Sequence, residues 1–359
     1  MFVISGALKN YEWGSAEGLR PWTQGSGPLA ELWFGVHPSG PSPLVDSTDT
    51  LDHHVAPEQV PILVKLLSAA KPLSIQVHPN SELAQRGFHE LNRMEAFTGA
   101  FADANEKVEM LYALENFEAF VGWRPAGETA AMLAALSATH ELALTELPFA
   151  ELTFSEMAHA ASSLPNLGAV IASLPDAARA AGLSELDCSA YATVAREYPN
   201  DPGAILALYL RVVRLTPGES IFIPSGIPHS YIRGTGIEVM TSSDNVLRLG
   251  LTPKPVFIDL ALQALDFTAD LPEPSEAPFD ISVFEAGASP IVADTGAYRV
   301  VLCLEGSASL SLLASEAHPV GQLAAHLEQG QAAVLLATEP DAQIVAIGSV
   351  AVVTAGRVQ

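Results

Sequence analysis

The sequence predicts a mainly β protein with an α insertion, built as two related β-barrels with a helical domain inserted into the first. Three observations carry this. Short apolar segments broken by Gly and Pro fill the first 125 residues and return after residue 211, the stretch between them turns to Ala, Leu and Glu, and one strand-turn-strand pattern occurs twice. At 359 residues the chain also exceeds the roughly 250–300 at which a single core stops growing, so several packed units are expected.

Taken in order, residues 32–36, 62–67 and 73–77 read as strands, 81–97 as a helix with Asn80 or Ser81 as its N-cap, and 108–114 as a strand. Arg124-Pro125-Ala126-Gly127 marks a break. Helical spacing then dominates to residue 211, and Pro148, Pro165, Pro175 and the Pro199–Pro202 pair cut it into four to six short helices. Strand character resumes at Val212 and runs to Val358, interrupted by a helix over 256–265 and a Pro-rich linker over 271–278. The first barrel is therefore expected from residues 1–125 and 212–254, the helical insertion from 126–211, and a second β domain from 255–359. The repeat pairs Leu215-Thr-Pro-Gly218 and the strand after it with Leu327-Glu-Gln-Gly330 and its own following strand. His229 follows the first copy and no histidine follows His326, so only the first barrel can complete a histidine-containing metal site.

Composition excludes several classes. No apolar run approaches the roughly 18 residues of a membrane helix, and Met1-Phe2-Val3-Ile4 is too short for a signal-peptide core, so a cytoplasmic protein is expected. Only Cys188 and Cys303 are present, which rules out a thiolate zinc site or a disulfide framework. Seventeen basic against 41 acidic residues, a net charge of −24, repel nucleic acid and anionic membranes. Against that background Lys65, Lys107, Lys254 and Arg248 fall inside ordered motifs. They read as an anion site or as cations that offset nearby carboxylates.

A metal centre is read from strand alternation. Leu73, Ile75 and Val77 share one face and Ser74, Gln76 and His78 the other. The same period places Lys107 with Glu109 and, after the turn Ser225-Gly-Ile-Pro228, His229 with Tyr231. Two imidazoles, a carboxylate and an amide oxygen suit a catalytic zinc with an open position. Gln76 reads equally as a strand glutamine hydrogen-bonded inside the barrel, and His37, before Pro38, competes with the other histidines. His140 and His159 lack partners at ligand spacing. No P-loop, GxSxG, HExxH or GxGxxG motif occurs.

Several segments together resemble the type I mannose-6-phosphate isomerases, a cupin (jelly-roll) family with a single zinc. They are Tyr11-Glu-Trp-Gly-Ser15, Ala30-Glu-Leu-Trp33 with His37-Pro38, Leu73-Ser-Ile-Gln-Val-His-Pro79, Asn105-Glu-Lys-Val-Glu-Met110 and Gly122-Trp-Arg-Pro125. Gly218-Glu-Ser-Ile-Phe-Ile-Pro224, Pro228-His-Ser-Tyr231, Ile237-Glu238 and the run from Ser243-Asp-Asn-Val to Pro253-Lys254 continue the match. The resemblance implies two cupin barrels around a helical insertion. It implies one Zn2+ per chain on Gln76, His78, Glu109 and His229, which leaves His37 a structural role. The family's essential arginine falls on Arg248, and the lysine beside the zinc glutamate on Lys107.

The implied reaction interconverts mannose 6-phosphate and fructose 6-phosphate by moving a proton between C1 and C2 through an enediol. Its catalytic candidates are Arg248, Lys107, Asp244 and Glu238, with Arg248 stabilising the enediolate or holding the phosphate. Asp244 and Arg248, four apart, also read as a mutual salt bridge on a helical turn. Lys65, Ser74, Tyr231 and Lys254 are the substrate-binding candidates. The partner implied is a small sugar phosphate, with no nucleic acid or membrane, and the chain is expected to be a monomer. One departure stands out: the family usually has Asn-His-Lys-Pro-Glu where this chain has Asn105-Glu106-Lys107-Val108-Glu109. The rival readings are a cupin metal dioxygenase and a non-catalytic sugar-binding cupin.

Overall fold

The computed structural model describes residues 1–142, 152–287, 291–292, 296–313 and 323–355 and is mainly β. The chain opens with β1 (Phe2–Ser5), β2 (Ala7–Lys9), β3 (Glu31–Phe34), β4 (Ile62–Ala69) and β5 (Ile75–Val77). Helix α1 (Ser81–His89) precedes β6 (Glu109–Ala113) and β7 (Phe117–Trp123). Every residue of β3 and β4 is buried, so Glu31 and Lys65 within them must find partners inside the protein. Asn80 caps α1 as expected, accepting from the Leu83 N–H at 2.9 Å. The helix is shorter than its predicted extent. It stops at His89 because the Asn92 side chain exchanges two hydrogen bonds with the Phe101 backbone, tying the segment to the following loop.

Six helices follow among the described residues: α2 (Ala126–His140), α3 (Phe154–Ala160), α4 (Leu167–Ala172), α5 (Leu174–Ala180), α6 (Glu185–Glu197) and α7 (Gly203–Leu206). Pro175 sits in the first turn of α5, where its missing N–H costs nothing. Pro148 lies outside the described residues. Their apolar faces share one core with the sheet: Met132, Leu133, Ile171, Val194 and Leu206 pack with Ile75, Val77, Phe120, Leu247 and Leu249.

Strands then return as β8 (Leu210–Leu215), β9 (Ser220–Ile223), β10 (His229–Thr241) and β11 (Leu247–Gly250). The 13-residue β10 organises a ten-stranded antiparallel sheet. Its first residues pair with β5 and β7, and from Gly234 onward it pairs with β4 and β6. The register shift between Tyr231 and Arg233, followed by Gly234 at φ +129°, marks the change of partners.

After α8 (Ile258–Ala264) come β12 (Phe279–Phe284), β13 (Ile291–Val292), β14 (Arg299–Cys303) and β15 (Ser307–Leu312). The last four are β16 (Leu323–Glu328), β17 (Gln331–Leu335), β18 (Ala342–Ile347) and β19 (Val350–Ala355). They form two sheets, β1-β17-β14-β19-β12 and β13-β18-β15-β16, over a core that includes Val301, Leu310, Leu327 and Ile344. The N-terminal strand thus pairs with β17. Both copies of the sequence repeat form a turn with a left-handed glycine, Gly218 at φ +92° between β8 and β9 and Gly330 at +85° between β16 and β17. No described helix is long and apolar enough to cross a membrane.

One contact sets how closely the helices approach the site-bearing strand. A Cβ on Gly203 would stand 2.6 Å from the Gly250 Cα, so α7 rests directly on the backbone of β11. Gly203→Ala is therefore expected to cost about 1–3 kcal/mol by forcing the two backbones apart. Denaturant unfolding checks this, and an unchanged midpoint would contradict it.

Candidate metal centre

Gln76, at the middle of β5, lies opposite His229 on β10 and Arg248 on β11. Directly opposed antiparallel residues project to one face, so an amide, an imidazole and a guanidinium form a row. His78 follows Gln76 by two residues, and Glu109 opens β6. His78, Glu109 and His229 are completely buried, and one donor atom from each lies within 4.8 Å of the other two.

The imidazoles are oriented by backbone carbonyls. His78 Nδ1–H donates to Asn245 O at 2.7 Å and His229 Nδ1–H to Ile227 O at 3.0 Å, which turns both Nε2 lone pairs inward. His78 Nε2 lies 3.2 Å from Glu109 Oε2, His229 Nε2 lies 2.8 Å from Glu109 Oε1, and the Gln76 amide nitrogen reaches His229 Nε2 at 3.0 Å. Rotating the amide by 180° places its oxygen there instead. His78 Nε2 is buried without a hydrogen-bond partner and Glu109 Oε2 has no hydrogen bond beyond its ion pair with Lys107, a costly condition that a cation between the two atoms relieves. With nitrogen and oxygen donors and no thiolate, a single zinc ion fits this site.

The charges agree. Burial pushes the His78 imidazole down to about 4, so it is neutral and able to ligate at pH 7. Burial alone would raise the Glu109 carboxyl, but Lys107, His78 and His229 outweigh it and hold the group well below the carboxylate range. The Lys107 ammonium sits 3.1 Å from Glu109 Oε2. Between pH 6.5, where an unfolded histidine titrates, and about 4, the unfolded chain carries a proton on His78 that the fold does not. Stability of the metal-free protein is thus expected to be lost as pH falls through that window, by up to roughly 3 kcal/mol. Thermal melts compared with His78→Gln isolate the contribution, and identical pH slopes for the two proteins would refute it.

A second buried network adjoins the first. The Lys65 ammonium lies 2.8 Å from Glu238 and 3.6 Å from Glu31, and the Trp33 indole N–H donates to Glu31 at 2.7 Å. Burial opposes the ammonium form of Lys65, yet the two carboxylates overcome it and raise its pKa. Burial likewise raises Glu31, opposed by Lys65. The Tyr231 hydroxyl reaches Glu109 Oε1 at 3.4 Å, and burial followed by Glu109 and Glu238 drives its pKa well upward. The Ser74 hydroxyl donates weakly to Gln76 Oε1 at 3.4 Å.

The expected salt bridge between Asp244 and Arg248 is absent. Residues 243–246 are not helical, so a spacing of four does not bring them together, and Asp244 instead receives His37 Nε2 at 2.9 Å. Arg248 is half-buried and its guanidinium makes no hydrogen bond or ion pair among the described residues; burial lowers its pKa. Lys254 lies over the Tyr11 ring at 5.8 Å, its pKa lowered by burial and then by Arg248. Neither cation has an ion-pair partner among the described residues, in a chain of net charge −24. Glu106 takes the hydroxyl of Ser225, on the turn that leads to His229.

Sequence reasoning missed Glu31 and Asn245. A lone carboxylate inside the apolar run Leu29-Ala-Glu-Leu-Trp-Phe34 was the available signal for Glu31. Asn245 acts through its carbonyl, which no sequence pattern marks.

A buried His-Glu-His centre with Arg248 in register beside it defines a mononuclear metal site. The type I phosphomannose isomerase catalytic domain matches residues 1–126. The mannose-6-phosphate isomerase of Escherichia coli is 30% identical over 357 residues, covering 86% of this chain and 90% of that one. That of Salmonella typhimurium is 33% identical over 293 residues, 72% of this chain and 73% of its own. A crystal structure of mannose 6-phosphate isomerase bound with zinc and yttrium superposes with a TM-score of 0.79 at 26% identity, covering 99% of both chains. The chain belongs to the type I mannose-6-phosphate isomerase family of enzymes.

Proposed function

We propose that the chain interconverts mannose 6-phosphate and fructose 6-phosphate, with one zinc held by Gln76, His78, Glu109 and His229. The observation that carries this is the unpartnered Arg248 in register with Gln76, with Lys254 close by, since two free cations beside a metal centre suit a phosphorylated sugar. Zinc bound there supplies a Lewis acid for the sugar carbonyl and for negative charge developing on its oxygens. Relatives named for this isomerisation support the substrate class.

The residues divide the remaining work. Asp244 is the candidate base, because its carboxylate is half-exposed, whereas Glu238 is committed to Lys65 and Lys107 to Glu109. It takes the proton from C2 of the open-chain aldose while the C–H electrons form the C1–C2 double bond and the carbonyl π pair moves onto O1; the O2 hydroxyl proton passes to O1, and the base returns its proton to C1 as the C2 carbonyl forms. Lys107 offers a second positive charge to those oxygens, and Tyr231 a hydroxyl. Arg248 and Lys254 hold the phosphate, with Ser74 at its edge. Lys65 was expected on the phosphate. Its ammonium is occupied by Glu31 and Glu238, so we assign it to holding Glu238 instead.

In the same reading the ten-stranded sheet is the catalytic jelly-roll barrel, from residues 1–125 and 212–254, with 126–211 as its helical insertion and 255–359 as a second barrel that borrows β1. A monomer in the cytoplasm completes the proposal. A coupled assay for fructose 6-phosphate formed from mannose 6-phosphate tests it. Turnover is expected, and none at saturating substrate with full zinc would overturn it.

A further inference from the structure

The strongest feature left unused is His37, which is bound to Asp244. His37 Nδ1 accepts the Ser39 backbone N–H at 3.2 Å, which fixes the proton on Nε2, and Nε2–H donates to Asp244 Oδ2 at 2.9 Å. The ring is mostly buried and stands edge-on to Trp33, with centroids 4.8 Å apart at 84°. Trp33 is itself fixed through its bond to Glu31. The imidazole therefore has one tautomer and one orientation.

Asp244 is held from its backbone as well. Its N–H donates to Asp103 Oδ2 at 2.9 Å, and the next residue, Asn245, anchors both Asp103 and the metal-site imidazole of His78. Asp244 Oδ2 is taken by His37, and Oδ1 has no hydrogen-bond partner among the described residues. The His37 hydrogen bond, helped by the His37, Lys107 and Lys65 charges, holds the carboxyl below its usual range against the opposing effect of burial. Position 106 cannot supply an imidazole here, and its carboxylate is engaged by Ser225.

We propose that His37 is a positioning residue for the isomerisation: by holding Asp244 Oδ2 it presents Oδ1 as the single oxygen that accepts and returns the substrate proton. This rests on Asp244 being the base of the proposed reaction. The atoms balance without any co-reactant: the proton that leaves C2 for Oδ1 is the one delivered to C1, the O2 hydroxyl proton passes to O1 within the enediolate, and His37 keeps its own proton throughout. A misplaced base loses catalysis before it loses binding, because phosphate and metal contacts lie elsewhere.

The experiment measures kcat, KM and zinc content for the full-length zinc protein and for Asp244→Asn, His37→Ala, His37→Gln and the His37→Ala/Asp244→Asn double variant. Loss of kcat in His37→Ala by about 10- to 100-fold is expected, with KM within about twofold and zinc unchanged. Glutamine places an amide N–H near the former Nε2 and should recover most of the loss. Added to Asp244→Asn, the alanine change should cost nothing more. If the wild type does not isomerise, the proposed function falls and this inference with it. If the wild type turns over and Asp244→Asn does too, the base assignment falls. If Asp244→Asn is inactive yet His37→Ala keeps full kcat, the role of His37 is overturned. It is equally overturned if KM and zinc content deteriorate together with kcat and glutamine restores nothing, since that is the behaviour of a purely structural residue.

Discussion

Glu109→Gln is expected to strip the protein of zinc and to lower turnover by on the order of 10³-fold or more. Its two carboxylate oxygens lie within 3.2 Å of both imidazoles and of Lys107, so one side chain joins the two histidines of the centre and its neighbouring cation. The amide keeps the shape and removes the charge. Two neutral histidines and two amides would remain, a set that lacks an anionic ligand and holds zinc only weakly. Lys107, which is buried, would also lose its only ion-pair partner among the described residues, so the fold should weaken by a few kcal/mol. Metal analysis, turnover and thermal melting read the three effects separately. A variant that retains one zinc per chain would contradict the ligand assignment.

Arg248→Ala is expected to behave in the opposite way towards stability. The guanidinium is half-buried with no ion-pair partner among the described residues, so it carries a desolvation cost that a bound phosphate is expected to relieve. Its removal should lower kcat/KM by about 10²- to 10³-fold, as for a lost charge-stabilising donor. Zinc content should stay at one per chain, and the melting temperature should hold or rise, the trade expected where a site is kept strained for function. Zinc loss would show that Arg248 supports the metal through Gln76, its neighbour in register. A lower melting temperature would mean that the residue serves the fold.

The contrast between these two variants shows what the sequence made legible. Strict alternation around Gln76 and His78, and the turn before His229, were enough to bring three metal-site strands together, because a two-residue period fixes the face of every side chain. The helical stretch was legible from its composition, since Ala, Leu and Glu at helical spacing differ so plainly from β-branched runs. Resemblance supplied what spacing left open at Gln76.

The partners of the charged residues were not legible. Lys65 meets Glu238 across 173 positions of sequence, and His37 meets Asp244 across a comparable span. Such pairs depend on the register of β10 against β4 and on the path of the loop before β11, neither of which a local pattern encodes. The local rule failed in one instructive place. It paired Asp244 with Arg248 as if on a helix, whereas the non-helical backbone separates them and Asp244 meets His37 instead. Buried charge inside an all-buried strand, as at Glu31 and Lys65, is the signal that best recovers this class of contact from sequence.

The central claim is that this buried centre works only with its metal. The most direct measurement is the coupled assay for fructose 6-phosphate formation from mannose 6-phosphate, run on the protein as isolated, after exhaustive chelation, and after zinc is returned. Activity should disappear with the metal and return in proportion to zinc up to one ion per chain. Undiminished turnover by protein shown to hold no metal would contradict it.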